Sequence, residues 1–409
     1  MRRWTPDRSV QPPAPSAGER RTRRVRAVGW WSLVIGGFAA LAGLAGVVRS
    51  DATEGAPPTS LVEVGFPDAP PLLDDGDAHS LRRAIHESLT WLAGQPPGQP
   101  IAFGPRVLTV AEETQALRRM LDLVADDPPA AVLAARVNAE FDLLRSVAHE
   151  DGTMLVTGYH EPIIDASDVP SAEYRVPILG IPRDLAAGRR RIYPSRAEIE
   201  QGRLGKRARP IAWARDPLDV FFMEIEGSGT LRLPGHRELR VGLAATNGRP
   251  YRSIGWLLIQ EGKISREAMT MRALREWLTE HPEERARVLR YNESYVFFGL
   301  RSGAPVGSLG VPLTPGRSIA TDPRIFPRAT LAFVRTSRPV PLPGGRIVWK
   351  PVSRFVLSQD AGGAIRGPGR VDIFWGRGPE AERAASDMKE SGELYILVPK
   401  VRETILTWW

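Results

Sequence analysis

At 409 residues and 42% hydrophobic content, the chain is long enough to hold two modest domains with buried cores. The lack of cysteine excludes a disulfide framework, a thiolate nucleophile and a cysteine metal site. A net charge of +8 raises the question of nucleic acid, but residues 1–26 carry eight arginines against Asp7 and Glu19 and so account for most of it; no nucleic-acid partner is expected of the body.

In chain order, the basic tail 1–26 precedes an uncharged apolar run, Ala27 to Val48, whose 22 residues match the roughly 20 helical residues that cross a bilayer core. Arginine before the run and little positive charge after it put the tail in the cytoplasm and the body across the membrane. The run reads as an uncleaved signal anchor. Small residues around Gly43, Ala45 and Gly46 leave a cleaved signal peptide, and hence a soluble periplasmic body, as the alternative. Residues 49–78, rich in Pro, Asp and Gly, read as a spacer.

Leu81, Ile85, Leu89 and Leu92 fall at helical spacing, as do Leu117, Met120, Leu121 and Val124, and a third helical stretch is expected over Ala130 to Val147. From Met154 the texture changes to short alternating segments, among them Thr230 to Leu233, Leu239 to Leu243, Leu331 to Val334, Arg346 to Val356 and Leu394 to Val398. A helical excursion is expected over Ser265 to Arg290, with Ser265 capping one helix and Pro282 in the first turn of the next. The fold class is mainly β with peripheral helices.

The six histidines lie far apart, at positions 79, 86, 149, 160, 236 and 281, and no HExxH, P-loop or GxGxxG occurs in a supporting context. No metal and no cofactor are expected. The densest chemical signal is Ser358 to Gly376, SQDAGGAIRGPGRVDIFWG, where Asp360 and Asp372 bracket a loop with four glycines. VDIFW alternates like a strand, so Asp372 sits at a strand start, and burial beside Phe374 and Trp375 raises a carboxyl pKa toward that of a proton donor. Asp and Gly are also the usual turn residues, so both aspartates read equally as turn caps.

The same run resembles the three-aspartate domain of the membrane-bound lytic murein transglycosylase A family, in which a DTGGAIKG-like loop leads to a second aspartate in a DIF-like strand. Further matches follow in order: Thr157–Pro162 (TGYHEP), Tyr193–Ile199 (YPSRAEI), Phe222–Gly229 (FMEIEGSG), Tyr291–Phe298 (YNESYVFF) and Gly307–Asp322 (GSLGVPLTPGRSIATD). They cover roughly residues 80 to 400. His160 departs from the family pattern, as does glutamate at Glu224 or Glu226, where glutamine is frequent.

The resemblance implies a double-psi β-barrel catalytic domain in two parts, 79–166 and 308–409, with an inserted second β domain over 167–307 and a glycan groove between them. It implies cleavage of the bond between N-acetylmuramic acid and N-acetylglucosamine in peptidoglycan, with the substrate's own O6 closing a 1,6-anhydro ring. Asp372 would be acid and then base, and Asp360 its hydrogen-bonding support. Asp322 matches the first aspartate of the trio, although Asp before Pro also starts turns. Thr157, Gly158, Tyr159, Glu161, Glu226, Gly227, Ser228, Asp322 and the loop glycines Gly362 and Gly363 are assigned to substrate contact. Family members are commonly lipidated on a cysteine, which this chain lacks. A monomer is expected. A polysaccharide hydrolase needs a second carboxylate, Glu161 or Glu226, across from Asp372, and a glycan-binding scaffold without turnover is the third possibility.

Overall fold

The computed structural model describes residues 60–401, apart from 66–67, 150–151, 187–192, 343–345 and 363–364. The tail 1–26, the apolar run 27–48, the first part of the spacer and Gly363 therefore lie outside the described residues. Among the described residues no helix is long and apolar enough to cross a membrane.

The chain opens with β1 (Leu61–Val64), α1 (Ala78–Leu92), a hairpin of β2 (Pro100–Phe103) and β3 (Arg106–Thr109), then α2 (Val110–Leu123), α3 (Ala130–Glu140), β4 (Phe141–Ser146) and β5 (Met154–Glu161). Asp77 caps α1 by accepting the Ser80 N–H, and the buried Leu81, Ala84, Ile85, Ser88 and Leu92 make one stripe of it. A capping box, Thr109 with Glu112, starts α2. The expected third helix ends at Glu140, and Phe141 to Ser146 form a strand instead. Apolar runs of that length do not distinguish the two by periodicity.

A second lobe follows: β6 (Ile163–Ser167), β7 (Val176–Leu179), α4 (Arg183–Ala186), α5 (Arg196–Glu200), β8 (Pro210–Ala214), α6 (Pro217–Glu226), β9 (Ser228–Leu233), β10 (Arg237–Thr246), α7 (Ile254–Gln260), α8 (Met271–Glu280), α9 (Pro282–Tyr291) and β11 (Val296–Arg301). The chain then completes the first lobe with β12 (Ser318–Ala320), β13 (Leu331–Pro341), β14 (Ile347–Asp360), β15 (Arg370–Arg377), α10 (Pro379–Asp387) and β16 (Lys389–Pro399). The helical excursion begins earlier than expected, and α8 is capped by Thr270 rather than Ser265.

Strands β5, β16, β13, β14, β12 and β15 pair in that order, and the β15–β5 pairing closes the ring, with β4 and β1 continuing outward from β16. Successive side chains alternate between two environments, as strand geometry requires. Val156, Ile319, Ala332, Val334, Val356, Val371, Ile373, Leu394 and Ile396, drawn from all six strands, fill the interior. Their neighbours Leu331, Phe333, Phe355, Leu357, Tyr395 and Leu397 face outward under α1, α2 and α3. The second sheet runs β11-β10-β9-β6-β8-β7, built wholly from strands between β5 and β12. Helices α6 to α9 share their own apolar core.

Part of the expected spacer is packed structure. β1 pairs with β4, Leu61 and Leu72 are buried, and Asp74 is buried against Arg317. Apolar side chains every few residues and two acids with distant arginine partners outweigh a Pro- and Gly-rich composition here.

Glu113 of α2 is buried, its Oε2 has no hydrogen-bond partner among the described residues, and burial pushes its carboxyl up to about 8 against one N–H from Leu331. A folded-state pKa above the unfolded one stabilises the protein below about pH 4.5, and that contribution is lost as pH rises toward 8. Glu113→Gln is expected to melt at a higher temperature than the parent at pH 8 and with little difference at pH 4.5, as thermal melts across pH will show.

Candidate active site

On β15 the inward residues are Val371 and Ile373, so Arg370, Asp372 and Phe374 project outward on one face. Parallel pairing with β5 sets Asp372 opposite Thr157 and Phe374 opposite Tyr159, and β12 brings Ala320 to the other side of Asp372. The Tyr159 and Phe374 rings meet with centroids 5.2 Å apart. Gly158 precedes Tyr159 where no side chain fits: a Cβ there would lie 2.7 Å from the Trp375 ring and 3.0 Å from the Ala385 Cα.

Asp372 is 6% exposed. Arg370 Nη2 donates to its Oδ1 at 3.3 Å and to Thr157 Oγ1 at 3.0 Å. Burial dominates over that guanidinium and, with the charge of Asp360, pushes the Asp372 carboxyl up to about 6. It therefore keeps a proton in mildly acid conditions and releases it near neutrality.

Asp360 ends β14. Its Oδ1 accepts the N–H groups of Ser308 and Ala361, each at 2.8 Å, and its Oδ2 accepts the Tyr159 hydroxyl at 3.0 Å. Burial nevertheless raises its pKa. Asp322 lies deeper, at 0% exposure. Burial works against its charge, but Arg324 and the N–H groups of Gly367 and Arg324 together hold its carboxyl below the ordinary range. The Gly367 contact, 2.8 Å long, ties Asp322 to the glycine loop that carries β15. Its position is that of a loop anchor. Gly362 is partly buried in that loop.

A hollow opens over Asp372, lined from the barrel side by Thr157, Gly158, Tyr159, Arg370 and Lys389 and from the second lobe by Glu226, Trp256 and Thr270. Glu226, from the second lobe, thus lines the same hollow as Asp372. Gly227 and Ser228 follow it as the left-handed helix cap and the first residue of β9, outside the lining. Glu161 does not join them. It turns from the hollow to the Thr230 hydroxyl, which donates to it at 3.2 Å, and lies buried between β5 and β9. Glu224 points into the lobe's core, paired with Arg196 under the Phe221 and Tyr295 rings.

Arg370, Lys389, Trp256 and Thr270 were not singled out from the sequence. Arg370 carries a usable signal, since a strand places residues two apart on one face and thus Arg370 beside Asp372. The others arrive through tertiary packing: Lys389 Nζ donates to the Arg266 carbonyl at 2.6 Å, and Arg272 pairs with Asp387 at 2.6 Å, so α8 and its preceding loop meet α10 and β16. Among the described residues no cluster of three or more His, Asp or Glu is arranged around a metal.

Residues 155–299 match the family description "MltA specific insert domain" and residues 317–398 the "3D domain". The chain is 32% identical over 264 residues to the membrane-bound lytic murein transglycosylase A of Vibrio cholerae, spanning 63% of this chain and 69% of that protein. It is 36% identical over 251 residues to the protein of the same name from Escherichia coli K12, spanning 60% and 66%. Among solved structures, the membrane-bound lytic murein transglycosylase of Agrobacterium tumefaciens superposes with a TM-score of 0.68 at 29% identity, covering 83% of this chain and 98% of that one. Escherichia coli MltA with bound chitohexaose superposes with a TM-score of 0.63 at 26% identity, covering 83% and 94%.

Proposed function

The chain belongs to the membrane-bound lytic murein transglycosylase A family, and from that premise we propose that its cleft cleaves the bond from N-acetylmuramic acid to N-acetylglucosamine with Asp372 as the single acid and base. The observation that carries this reading is the outward-facing Asp372 carboxyl, pushed up to about 6 by burial, in the lining of a hollow between two lobes. The chain is a lytic transglycosylase acting on peptidoglycan.

In the proposed sequence, protonated Asp372 gives its proton to the glycosidic oxygen as the C1–O bond breaks. The resulting carboxylate then takes the proton of the muramic O6 hydroxyl as that oxygen bonds to C1. No water is consumed, and holding O6 near C1 supplies the intramolecular advantage. Arg370, 3.3 Å from Asp372, stabilises the carboxylate between the two steps. Asp360 and Tyr159 hold the neighbouring wall, Asp322 fixes the loop, and Thr157, Gly158 and Gly362 line the path of the strand.

Several finer assignments belong to the same proposal. The ring of six strands is read as a double-psi barrel, with residues 167–307 as an inserted domain, on the strength of chain order and the family matches. The body is read as periplasmic, held at the inner membrane by residues 27–48, and as a monomer.

A specific observation keeps the hydrolase reading in view: Glu226 shares the hollow with Asp372. A hydrolase needs one carboxyl protonated and the other ionised, and burial pushes Glu226 up to about 8 and Asp372 up to about 6, so the product ends decide between the two readings. Digestion of purified sacculi by the full-length chain, with product ends identified by mass spectrometry, separates the two. Anhydro ends are expected. Reducing ends would establish the hydrolase.

A further inference from the structure

Two buried groups on the cleft wall have no task in the chemistry above. Glu226 ends α6 just before the left-handed Gly227 (φ 74°), which turns the chain away and leaves the carboxyl aimed into the hollow with the side chain only 7% exposed. The His160 main-chain N–H donates to that carboxyl. The His160 side chain, 9% exposed, sets Nδ1 3.7 Å from Glu226 Oε1, and this nitrogen has no hydrogen-bond partner among the described residues.

The groups facing this pair come from every packed element. Asp372 and Arg370 approach from β15, Glu382 from α10, Lys389 from β16 and Tyr159 from β5, while Arg275 of α8 faces His160. Burial first, then the charges of Asp372 and Glu382, oppose ionisation of Glu226 and push it up to about 8. Burial and Arg275 hold His160 down to about 4. Across the interval between them, an uncharged acid with an O–H to donate stands beside an uncharged imidazole with a ring nitrogen to spare.

We propose that Glu226 is a positioning residue that meets the glycan as a neutral carboxylic acid, donating its O–H to a sugar oxygen opposite Asp372, and that His160 fixes the orientation of that carboxyl. The inference rests on Asp372 being the acid and adds a second ionisation to the reaction. Neutral Glu226 presents an uncharged hydrogen-bonding wall to an uncharged sugar. Ionised Glu226 loses its donor and places a second negative charge against Asp372, which opposes the productive complex.

The test is kcat/KM on soluble uncrosslinked peptidoglycan fragments from pH 5 to 9.5, for the full-length parent, Glu226→Gln, Glu226→Ala, His160→Phe and Asp372→Asn. For the parent, log kcat/KM is expected to fall with slope −1 above about pH 6 and −2 above about pH 8. Glu226→Gln, which keeps a neutral donor, is expected to hold slope −1 throughout. Glu226→Ala is expected to raise KM roughly 10-fold, and His160→Phe about threefold, with kcat within about threefold of the parent. A second limb that persists in Glu226→Gln, or an unmoved KM in Glu226→Ala, overturns the proposal. So does a Glu226→Gln variant as inactive as Asp372→Asn, which would make Glu226 an obligatory proton-transfer group. Turnover surviving in Asp372→Asn counts instead against the acid assignment, which distinguishes that failure from this one.

Discussion

Asp372→Asn is expected to lower turnover of peptidoglycan by at least about 10³-fold while leaving the fold intact, because the amide cannot deliver a proton to the leaving oxygen. Asparagine preserves the shape of the side chain and its place opposite Thr157, so glycan binding is expected to stay near that of the parent. Stability gives an independent readout. The folded-state pKa of Asp372 stands above the ordinary 3.8, at about 6. Its burial therefore favours the folded state below about pH 4, and that contribution disappears as pH rises through 6. At pH 7.5 the variant removes a buried charge worth up to about 3 kcal/mol by the size of the shift, less what is lost by leaving Arg370 without it. Asp372→Asn should thus melt above the parent at pH 7.5 and lose that advantage at pH 4. An inactive variant that is less stable at both values would mark Asp372 as structural.

The second large effect concerns Arg317, which is 1% exposed and makes five hydrogen bonds to its surroundings. Nη1 grips both oxygens of Asp74 at 2.9 Å and the Phe355 carbonyl at 2.8 Å, while Nη2 and Nε hold the Asp77 carbonyl and Ser80 hydroxyl at the start of α1. These bonds clamp the segment before α1 onto β14. Burial raises the pKa of Asp74, and Arg317 opposes that shift most strongly, ahead of the Gly76 N–H and Arg354. Removing the arginine alone strands a buried carboxylate, so Arg317→Met is expected to cost about 3–5 kcal/mol in urea unfolding. The double variant Asp74→Leu, Arg317→Met removes both charges and should recover most of that loss. Equal instability in the single and double variants would show that the backbone contacts of Arg317, not the ion pair, hold the segment.

How far the sequence discloses this arrangement depends on the range of the interaction. The strand that carries Asp372 follows from the alternation of VDIFW, a property of five adjacent residues, as do the first four residues of β13 and most of β14, although both strands run on beyond the expected ends. Arg370 beside Asp372 is implied by the same period of two. The bond from Tyr159 to Asp360 joins residues 201 apart in the chain, and no local pattern announces it. Glu226 and Glu161 looked alike as candidate second carboxylates, yet strand β5 ends with Glu161 buried toward β9 while the helix cap at Gly227 turns Glu226 into the cleft. Residues 49–78 read as a spacer for the same reason in reverse. Its composition is that of a loop, but Asp74 and Asp75 find Arg317 and Arg354 across separations of 243 and 279 residues.

In this mechanism one recycled carboxyl and the substrate's own O6 break the glycosidic bond, and no water enters the product. Digestion of sacculi by the full-length chain in water enriched in oxygen-18 tests it directly. The muramic ends are expected to carry no heavy oxygen and to have the mass of an anhydro sugar. Ends heavier by one oxygen-18, with the mass of a reducing sugar, would show that water, not O6, attacks C1.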